Sequence, residues 1–74
     1  MERYENFDGD SGVVFYEIGQ DFLKVKFKSG PIYVYTTKSV GVDNLAKMKR
    51  LATSGRGLNE FINKNVRKDY EFTE

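Results

Sequence analysis

The sequence predicts an α+β domain in which a three-stranded antiparallel β-meander is followed by two helices that cover one face of the sheet. Three observations support this prediction. Residues 13–18 are β-branched and aromatic, residues 23–28 alternate apolar side chains with lysines, and residues 32–35 continue the strand pattern after a Gly-Pro turn. Two later segments space apolar residues three and four positions apart, which is the period of a helix face. The predicted order of elements is βββαα.

Length and composition favour a single domain without disulfides or membrane segments. The chain has 74 residues and no cysteine, so its stability must come from a small apolar core, and we expect a reducing compartment. It lacks the basic start and apolar centre of a signal peptide, and no apolar run approaches the roughly 18 residues of a membrane span. We therefore expect a cytoplasmic protein with no membrane partner.

Charge is segregated along the chain even though the net charge is only +1. Residues 1–21 carry a net charge of −5, residues 22–37 of +3, residues 38–68 of +6 and residues 69–74 of −3. A basic second half is thus flanked by acidic ends, which favours a polyanionic partner.

Residues 1–12 are polar, acidic and rich in turn residues, so we expect them to be loosely ordered, with the domain itself spanning residues 13–72. The stretch Gly19-Gln20-Asp21 supplies a turn between the first two strands. A turn centred on Gln20 and Asp21 brings apolar residues opposite one another and an acid opposite a lysine. The pairs in this predicted register are Ile18 with Leu23, Tyr16 with Val25, Val14 with Phe27, and Glu17 with Lys24.

The second turn contains Ser29-Gly30-Pro31. A two-residue turn at Ser29-Gly30 needs a backbone N–H from the next residue, which proline lacks, so we expect a wider turn. Two registers remain open: one centred on Gly30 places Tyr33 and Tyr35 in the core, and a slip by one residue exposes both. The core register pairs Tyr33 with Phe27 and Tyr35 with Val25, whereas the slipped register sets both tyrosines beside Lys24 and Lys26 and buries Ile32 and Val34.

Two amphipathic helices are predicted after the sheet. Ser39 or Asp43 can cap the first, which runs to about Ala52, and the closely spaced Gly55 and Gly57 favour a turn before the second. The apolar stripe of the first helix comprises Val42, Leu45, Ala46, Met48, Leu51 and Ala52, and that of the second comprises Leu58, Phe61, Ile62 and Val66.

A pattern of apolar, aromatic and glycine positions spans roughly residues 13–70 and resembles the KTSC family. The residues that carry this resemblance are Leu23, Val25, Phe27, Gly30, Tyr33 and Tyr35 in the strands, and Gly55, Gly57, Leu58, Phe61, Ile62, Asn63, Val66, Arg67 and Tyr70 in and after the second helix. The family commonly carries Val-Pro after the two tyrosines, whereas this chain has Thr36-Thr37 and a longer lead into the first helix.

KTSC domains are small domains named after a C-terminal extension of some lysyl-tRNA synthetases, and they also occur as free-standing short proteins in bacteria and phages. RNA binding has been suggested for the family from the synthetase context. The resemblance therefore implies a fold, and it adds RNA to the partners that we consider below.

The first candidate site is the polar face of the sheet, where Lys24 and Lys26 adjoin Phe15 and, in the slipped register, Tyr33 and Tyr35. Lysines interleaved with exposed aromatic rings are typical of surfaces that stack single-stranded nucleic acid. In the core register the tyrosines are buried and the lysines form an ordinary solvated strand face.

The second candidate site is the turn before the second helix, where Ser54 and Arg56 flank Gly55. Free backbone N–H groups at a helix start, beside a guanidinium, can hold a phosphate. The alternative is a simple glycine-rich joint between two helices.

The third candidate site is a group of basic residues on the two helices. Lys64 and Lys68 are one helical turn apart and can share a face that follows a phosphate backbone. The alternative is an ordinary soluble helix surface. The group comprises Lys47, Lys49, Arg50, Lys64, Arg67 and Lys68.

The sequence offers no catalytic constellation. It has no His and no Cys, and no Ser or Lys has a visible base partner. We therefore expect a non-enzymatic binding module with no cofactor and no metal, whose partner is RNA or another single-stranded nucleic acid. The alternative is a protein interaction domain, such as a phage or bacterial modulator that docks on a host protein through a sheet edge or the acidic N-terminal arm.

Overall fold

The computed structural model describes residues 1–9 and 11–74, and in this part of the chain five antiparallel strands form one sheet with helices on one face. The strands lie in the order β1-β2-β3-β4-β5, and their bounds are β1 (Glu2–Arg3), β2 (Val13–Ile18), β3 (Phe22–Phe27), β4 (Ile32–Thr36) and β5 (Phe72–Thr73). The α+β class is confirmed. The predicted count of three strands is wrong, because a short strand is added at each edge of the meander.

The two additional strands are too short to have a periodic pattern of their own. Strand β1 pairs with β2 through Glu2 opposite Tyr16, and β5 pairs with β4 through Phe72 opposite Val34. Each satisfies backbone groups that would otherwise be left unpaired at the edge of the sheet.

The N-terminal segment differs from the expected loose arm. Tyr4 is buried in the core, and its hydroxyl accepts a hydrogen bond from the Leu58 N–H at 3.3 Å. The Phe7 N–H donates to the Gly55 carbonyl at 2.9 Å. These contacts dock the arm on the turn that begins the second helix. Asp10 lies outside the described residues, so the expectation for that residue stays a prediction.

The predicted register between β2 and β3 is confirmed at three of its four pairs, which are Ile18 with Leu23, Tyr16 with Val25, and Glu17 with Lys24. The fourth is wrong, because the register shifts between Val13 and Phe15 and places Val13 opposite Phe27. A β-bulge of this kind inserts one extra residue, here Val14, into one strand. As a result Val13 is buried in the core and Val14 is only half-buried.

The turn between β3 and β4 spans four residues, so the wider turn predicted from Pro31 is confirmed. The core register is displaced by two residues from the predicted pairs, since Tyr33 lies opposite Val25 and Tyr35 opposite Leu23. The turn is therefore centred one residue earlier than Gly30. A displacement by two residues keeps each side chain on its predicted face, so both tyrosines lie on the helix side of the sheet.

The predicted first helix is divided into two. A one-turn helix, α1 (Thr37–Val40), is separated from α2 (Val42–Ser54) by Gly41 at φ 89°. The cap is neither of the two predicted residues, because Thr36 Oγ1 accepts the Ser39 N–H at 3.0 Å while Ser39 Oγ accepts the Thr36 N–H at 2.9 Å. This reciprocal pair is a capping box, and it starts the helix directly after β4.

The second predicted helix begins as α3 (Leu58–Phe61) and continues as a π-helical segment, Ile62–Val66. Its four apolar residues contact the core as predicted, with Phe61 only partly buried. The stripe of α2 is narrower than predicted. Leu45, Met48 and Ala52 are buried, whereas Val42 is 66% exposed and Ala46 is also exposed. No helix in residues 1–9 and 11–74 is long and apolar enough to cross a membrane.

Candidate functional site

A cavity of about 320 Å³ lies between the β3–β4 hairpin and the π-helical segment. Its lining combines aromatic rings with polar and basic side chains. The residues on which its chemistry depends are Tyr33, Tyr35, Tyr70, Asn63, Arg67 and Lys68. Four of these six, namely Tyr33, Tyr35, Arg67 and Lys68, were predicted from sequence, although in two separate candidate sites.

The aromatic wall is held together by edge-to-face ring contacts. Tyr33 and Tyr70 have ring centroids 4.8 Å apart at 63°, and Tyr33 and Phe27 have centroids 5.5 Å apart at 82°. Tyr35 and Tyr70 are 6.4 Å apart at 89°. Such pairs are each worth about 0.5–1.5 kcal/mol beyond the area that they bury, so the wall of the cavity is preformed.

Tyr35 lines the cavity and is only 1% exposed. Burial raises the pKa of its hydroxyl to about 12, with smaller contributions from Tyr33, Tyr70 and Asp69. The group is therefore a neutral phenol at physiological pH and can both donate and accept a hydrogen bond.

No hydrogen bond joins the Tyr35 hydroxyl to a protein group among the described residues. No fully buried side-chain nitrogen or oxygen in this part of the chain lacks a partner, so the small exposed area of Tyr35 must include this oxygen. Tyr35 is one of the residues that line the cavity.

Two cations stand at the rim. Arg67 and Lys68 directly follow the π-helical segment, and both are exposed. Neither forms an ion pair with an acid within the described part of the chain. Asn63, on the same segment, adds an exposed amide that can donate and accept.

The lysines of the sheet, Lys24 and Lys26, lie on the face opposite this cavity. We call that face the outer sheet face. Lys24 Nζ is 3.0 Å from Glu74 Oε2, and Lys24 also lies opposite Glu17 in the register. Lys26 lies opposite Phe15 and Ile32. Lys24 thus has one acid as its ion-pair partner and a second acid opposite it in the neighbouring strand.

The outer sheet face carries aromatic rings, but not the predicted tyrosines. Phe15 is 39% exposed and Phe72 is 46% exposed, and Phe72 lies opposite the buried Val34. The register that places Tyr33 and Tyr35 beside the lysines does not occur, because both tyrosines share the face of Leu23 and Val25. A lysine and phenylalanine surface remains there, without the tyrosines.

The predicted phosphate seat at the helix joint is already occupied by protein groups. Arg56 Nη1 is 3.0 Å from Asp8 Oδ1, and its guanidinium carbon lies 5.2 Å from the centroid of the Phe7 ring. Ser54 Oγ donates to the Leu51 carbonyl at 2.9 Å. The N-terminal arm thus supplies protein partners at the turn that the sequence pattern predicted to be free for a phosphate.

The other predicted cations are dispersed over the helices. Lys47 Nζ lies 5.4 Å from the centroid of the Phe61 ring, Lys64 Nζ is 3.9 Å from Glu60 Oε2, and Arg50 is exposed on α2. Lys49 Nζ donates to the Gln20 carbonyl at 2.9 Å, which gives it a structural role. Lys64 does not line the cavity that Lys68 lines.

Tyr70 and Asn63 were not among the predicted site residues. A signal existed for Asn63, because it is four residues from Arg67, the spacing that places side chains on one side of a helical segment, whereas Tyr70 lies beyond the helix end. The contact of Tyr70 with Tyr33 joins residues far apart in sequence, so that spacing does not reveal it.

Comparisons of the chain with known protein families, curated proteins and solved structures find no match.

Proposed function

We propose that this chain is a non-enzymatic binding domain for RNA or another single-stranded nucleic acid, and that the cavity and its cationic rim are the centre of the interface. One observation carries the proposal: within residues 1–9 and 11–74, Arg67 and Lys68 form no ion pair, and both line a cavity with a wall of tyrosine rings. Cations beside aromatic rings are the two components that single-strand-binding surfaces combine.

The energetics favour this arrangement over the other basic positions. A cation without a protein partner can contact a phosphate without first breaking an ion pair, and each phosphate contact releases a condensed counterion. Arg56 and Lys24 would have to give up Asp8 and Glu74. We therefore assign them smaller contributions to binding.

The exposed Lys47, Arg50 and Lys64 extend positive charge over the helices, in a segment whose net charge is +6 over residues 38–68. We propose that they add salt-sensitive phosphate contacts without base recognition. Membership of the KTSC family also remains a proposal, and it accords with RNA as the partner.

The test is fluorescence anisotropy with a labelled pool of mixed single-stranded RNA at about 50 mM salt, where phosphate contacts are strongest. We expect binding that weakens steeply as salt is raised, with single strands preferred over duplex because stacking on tyrosine needs unpaired bases. Absence of binding to single-stranded RNA and DNA at that salt would rule the proposal out.

A second candidate function is protein interaction, and the exposed Phe15 and Phe72 on the outer sheet face favour it. Aromatic residues are enriched at the centres of protein interfaces. A nuclease-treated pull-down that retains one defined protein with the wild type, and loses it with Phe15→Ser, would favour this candidate.

A further inference from the structure

We infer that the cavity lined by Tyr33, Tyr35 and Tyr70 takes a single nucleotide, with the base against the tyrosine wall and the phosphate on Arg67 and Lys68. This inference rests on the proposed function, because it names the unit of nucleic acid that the site recognises. Size supports it: the cavity measures about 320 Å³, near the lower limit of about 300 Å³ for ligand pockets, so it suits one nucleotide and not a stretch of strand.

The interior of the cavity is suited to a base. Tyrosine rings offer stacking surface, and the Tyr35 hydroxyl has no protein hydrogen-bond partner among the described residues. A ligand can therefore hydrogen-bond to it without breaking a hydrogen bond within the protein. The polar edge of a nucleobase can form this hydrogen bond, whereas an apolar ring cannot.

The rim is suited to a phosphate. Arg67 presents a planar guanidinium that can bind two phosphate oxygens at once, and Lys68 adds a second positive charge. Both are free of ion pairs within residues 1–9 and 11–74. Asn63 lies on a π-helical segment, a geometry that recurs at functional sites, and its amide can bond to a base edge or a sugar hydroxyl.

A nucleotide can come from two sources, a free mononucleotide or one residue of a strand. The experiment therefore has two arms. In the first, the four ribonucleoside monophosphates are titrated into the protein while its backbone amides are followed by NMR. In the second, a short labelled single-stranded RNA is titrated by anisotropy, with the mononucleotides as competitors.

Three variants test the wall and the rim. We expect Tyr70→Leu, which keeps an apolar side chain but removes the ring, to weaken binding about 5- to 150-fold, the range for loss of one stacked base. We expect Tyr35→Phe, which removes only the hydroxyl, to weaken it about fivefold. We expect Arg67→Gln to weaken the binding of both the mononucleotide and the strand.

Lys38→Gln is the matched control. It removes one exposed positive charge, but Lys38 does not line the cavity. We expect mononucleotide affinity to stay within about twofold of the wild type, because charge outside the cavity contributes little to one phosphate. Lys68→Gln, an exposed position, repeats the rim test should a tyrosine variant fail to fold.

The outcomes separate this inference from the proposed function. If the strand binds but mononucleotides shift no cavity amides and the cavity variants bind the strand like the wild type, the inference is overturned and the proposed function stands. If mononucleotides bind in the cavity and no strand binds, the cavity assignment holds for the free ligand and the proposed function is overturned. If neither binds, both are overturned.

Discussion

The two faces of the sheet use the same classes of residue in opposite ways. On the helix side, Tyr33 and Tyr35 form the wall of a cavity beside Arg67, and no acid pairs with that cation among the residues described. On the outer sheet face, Lys24 lies between Glu17 and Glu74. Aromatic rings and positive charge are present on both faces, but the concave tyrosine wall lies on the helix side, where Arg67 and Lys68 form no ion pair among the residues described.

This difference separates cations that are held in ion pairs within the protein from cations that are available to a ligand. Lysines that alternate along a strand look like a binding surface in the sequence, yet the sheet brings acids from β2 and from the chain end against Lys24. The cations at the rim follow the last helical residue, and neither forms an ion pair within residues 1–9 and 11–74, although Asp69 and Glu71 are close in sequence. Whether a cation is available to a ligand therefore depends on its neighbours in the tertiary structure. A count of basic residues in the sequence does not show this.

The largest expected effect is on the free energy of unfolding, and it distinguishes the helix side of the sheet from the outer sheet face. Leu23→Ala removes a fully buried side chain from the helix side, and we expect a loss of about 2–5 kcal/mol in the free energy of unfolding. Lys26→Ala on the outer sheet face serves as the control, with an expected change within about 0.5 kcal/mol. Urea denaturation measures both. Similar losses for the two variants would contradict the assignment of the faces.

The next largest expected effect is on RNA affinity, and it shows which face of the sheet binds RNA. We expect the double variant Arg67→Gln with Lys68→Gln to bind single-stranded RNA about tenfold to a hundredfold more weakly, and to lower the slope of log K against log salt by about 1.4, as two lost single-strand phosphate contacts require. The matched double variant Lys24→Gln with Lys26→Gln removes the same charge from the outer sheet face. A larger effect from this second variant would place the interface on that face.

A third prediction uses the raised pKa of Tyr35. In the unfolded chain this phenol ionises near its usual value of 10.0, but in the folded protein its pKa is about 12, so the unfolded state loses its proton first as pH rises. The stabilising contribution is complete below about pH 9, has fallen by about 1.4 kcal/mol at about pH 11, and is lost as the pH rises above about 12.

Urea unfolding of the wild type and Tyr35→Phe at these pH values checks this prediction. The pKa values of Tyr4 and Tyr16 are also raised, mainly by burial, so both proteins will lose some stability in alkali. We expect the wild type to lose more than Tyr35→Phe. Equal losses would mean that the Tyr35 hydroxyl is more accessible to water than its position implies.

The smallest effect concerns the ion pair between Lys24 and Glu74. Both side chains are partly exposed, so we expect Glu74→Gln to change the free energy of unfolding by less than about 1 kcal/mol. The same variant frees Lys24, and we expect RNA affinity to rise slightly at low salt. A fall in affinity would indicate that Glu74 positions part of the interface.

Much of the fold could be predicted because local patterns encode it. Alternation along residues 23–28 identified the buried face of β3, and the missing N–H of Pro31 identified the wider turn. The bulge at Val14 and the one-turn helix before α2 could not be predicted this way, because each alters a local spacing that the patterns treat as regular.

Less of the site could be predicted, for a related reason. Tyr33 and Arg67 were identified as residue types suited to nucleic acid, but they were placed in different sites because more than thirty residues separate them in the chain. Arg56 was placed in an open phosphate seat, and only the docked N-terminal arm supplies the Asp8 that occupies it.

The sequence by itself determined which face of β3 is apolar, that a wide turn follows this strand and which residue types are suited to a polyanion, because periodicity, proline and charge act over a few neighbouring positions. The tertiary structure alone decided which cations stay free, which aromatic rings meet in a cavity and how the edges of the sheet are completed. These outcomes depend on distances between remote segments, and such distances are set only when the apolar faces have packed together.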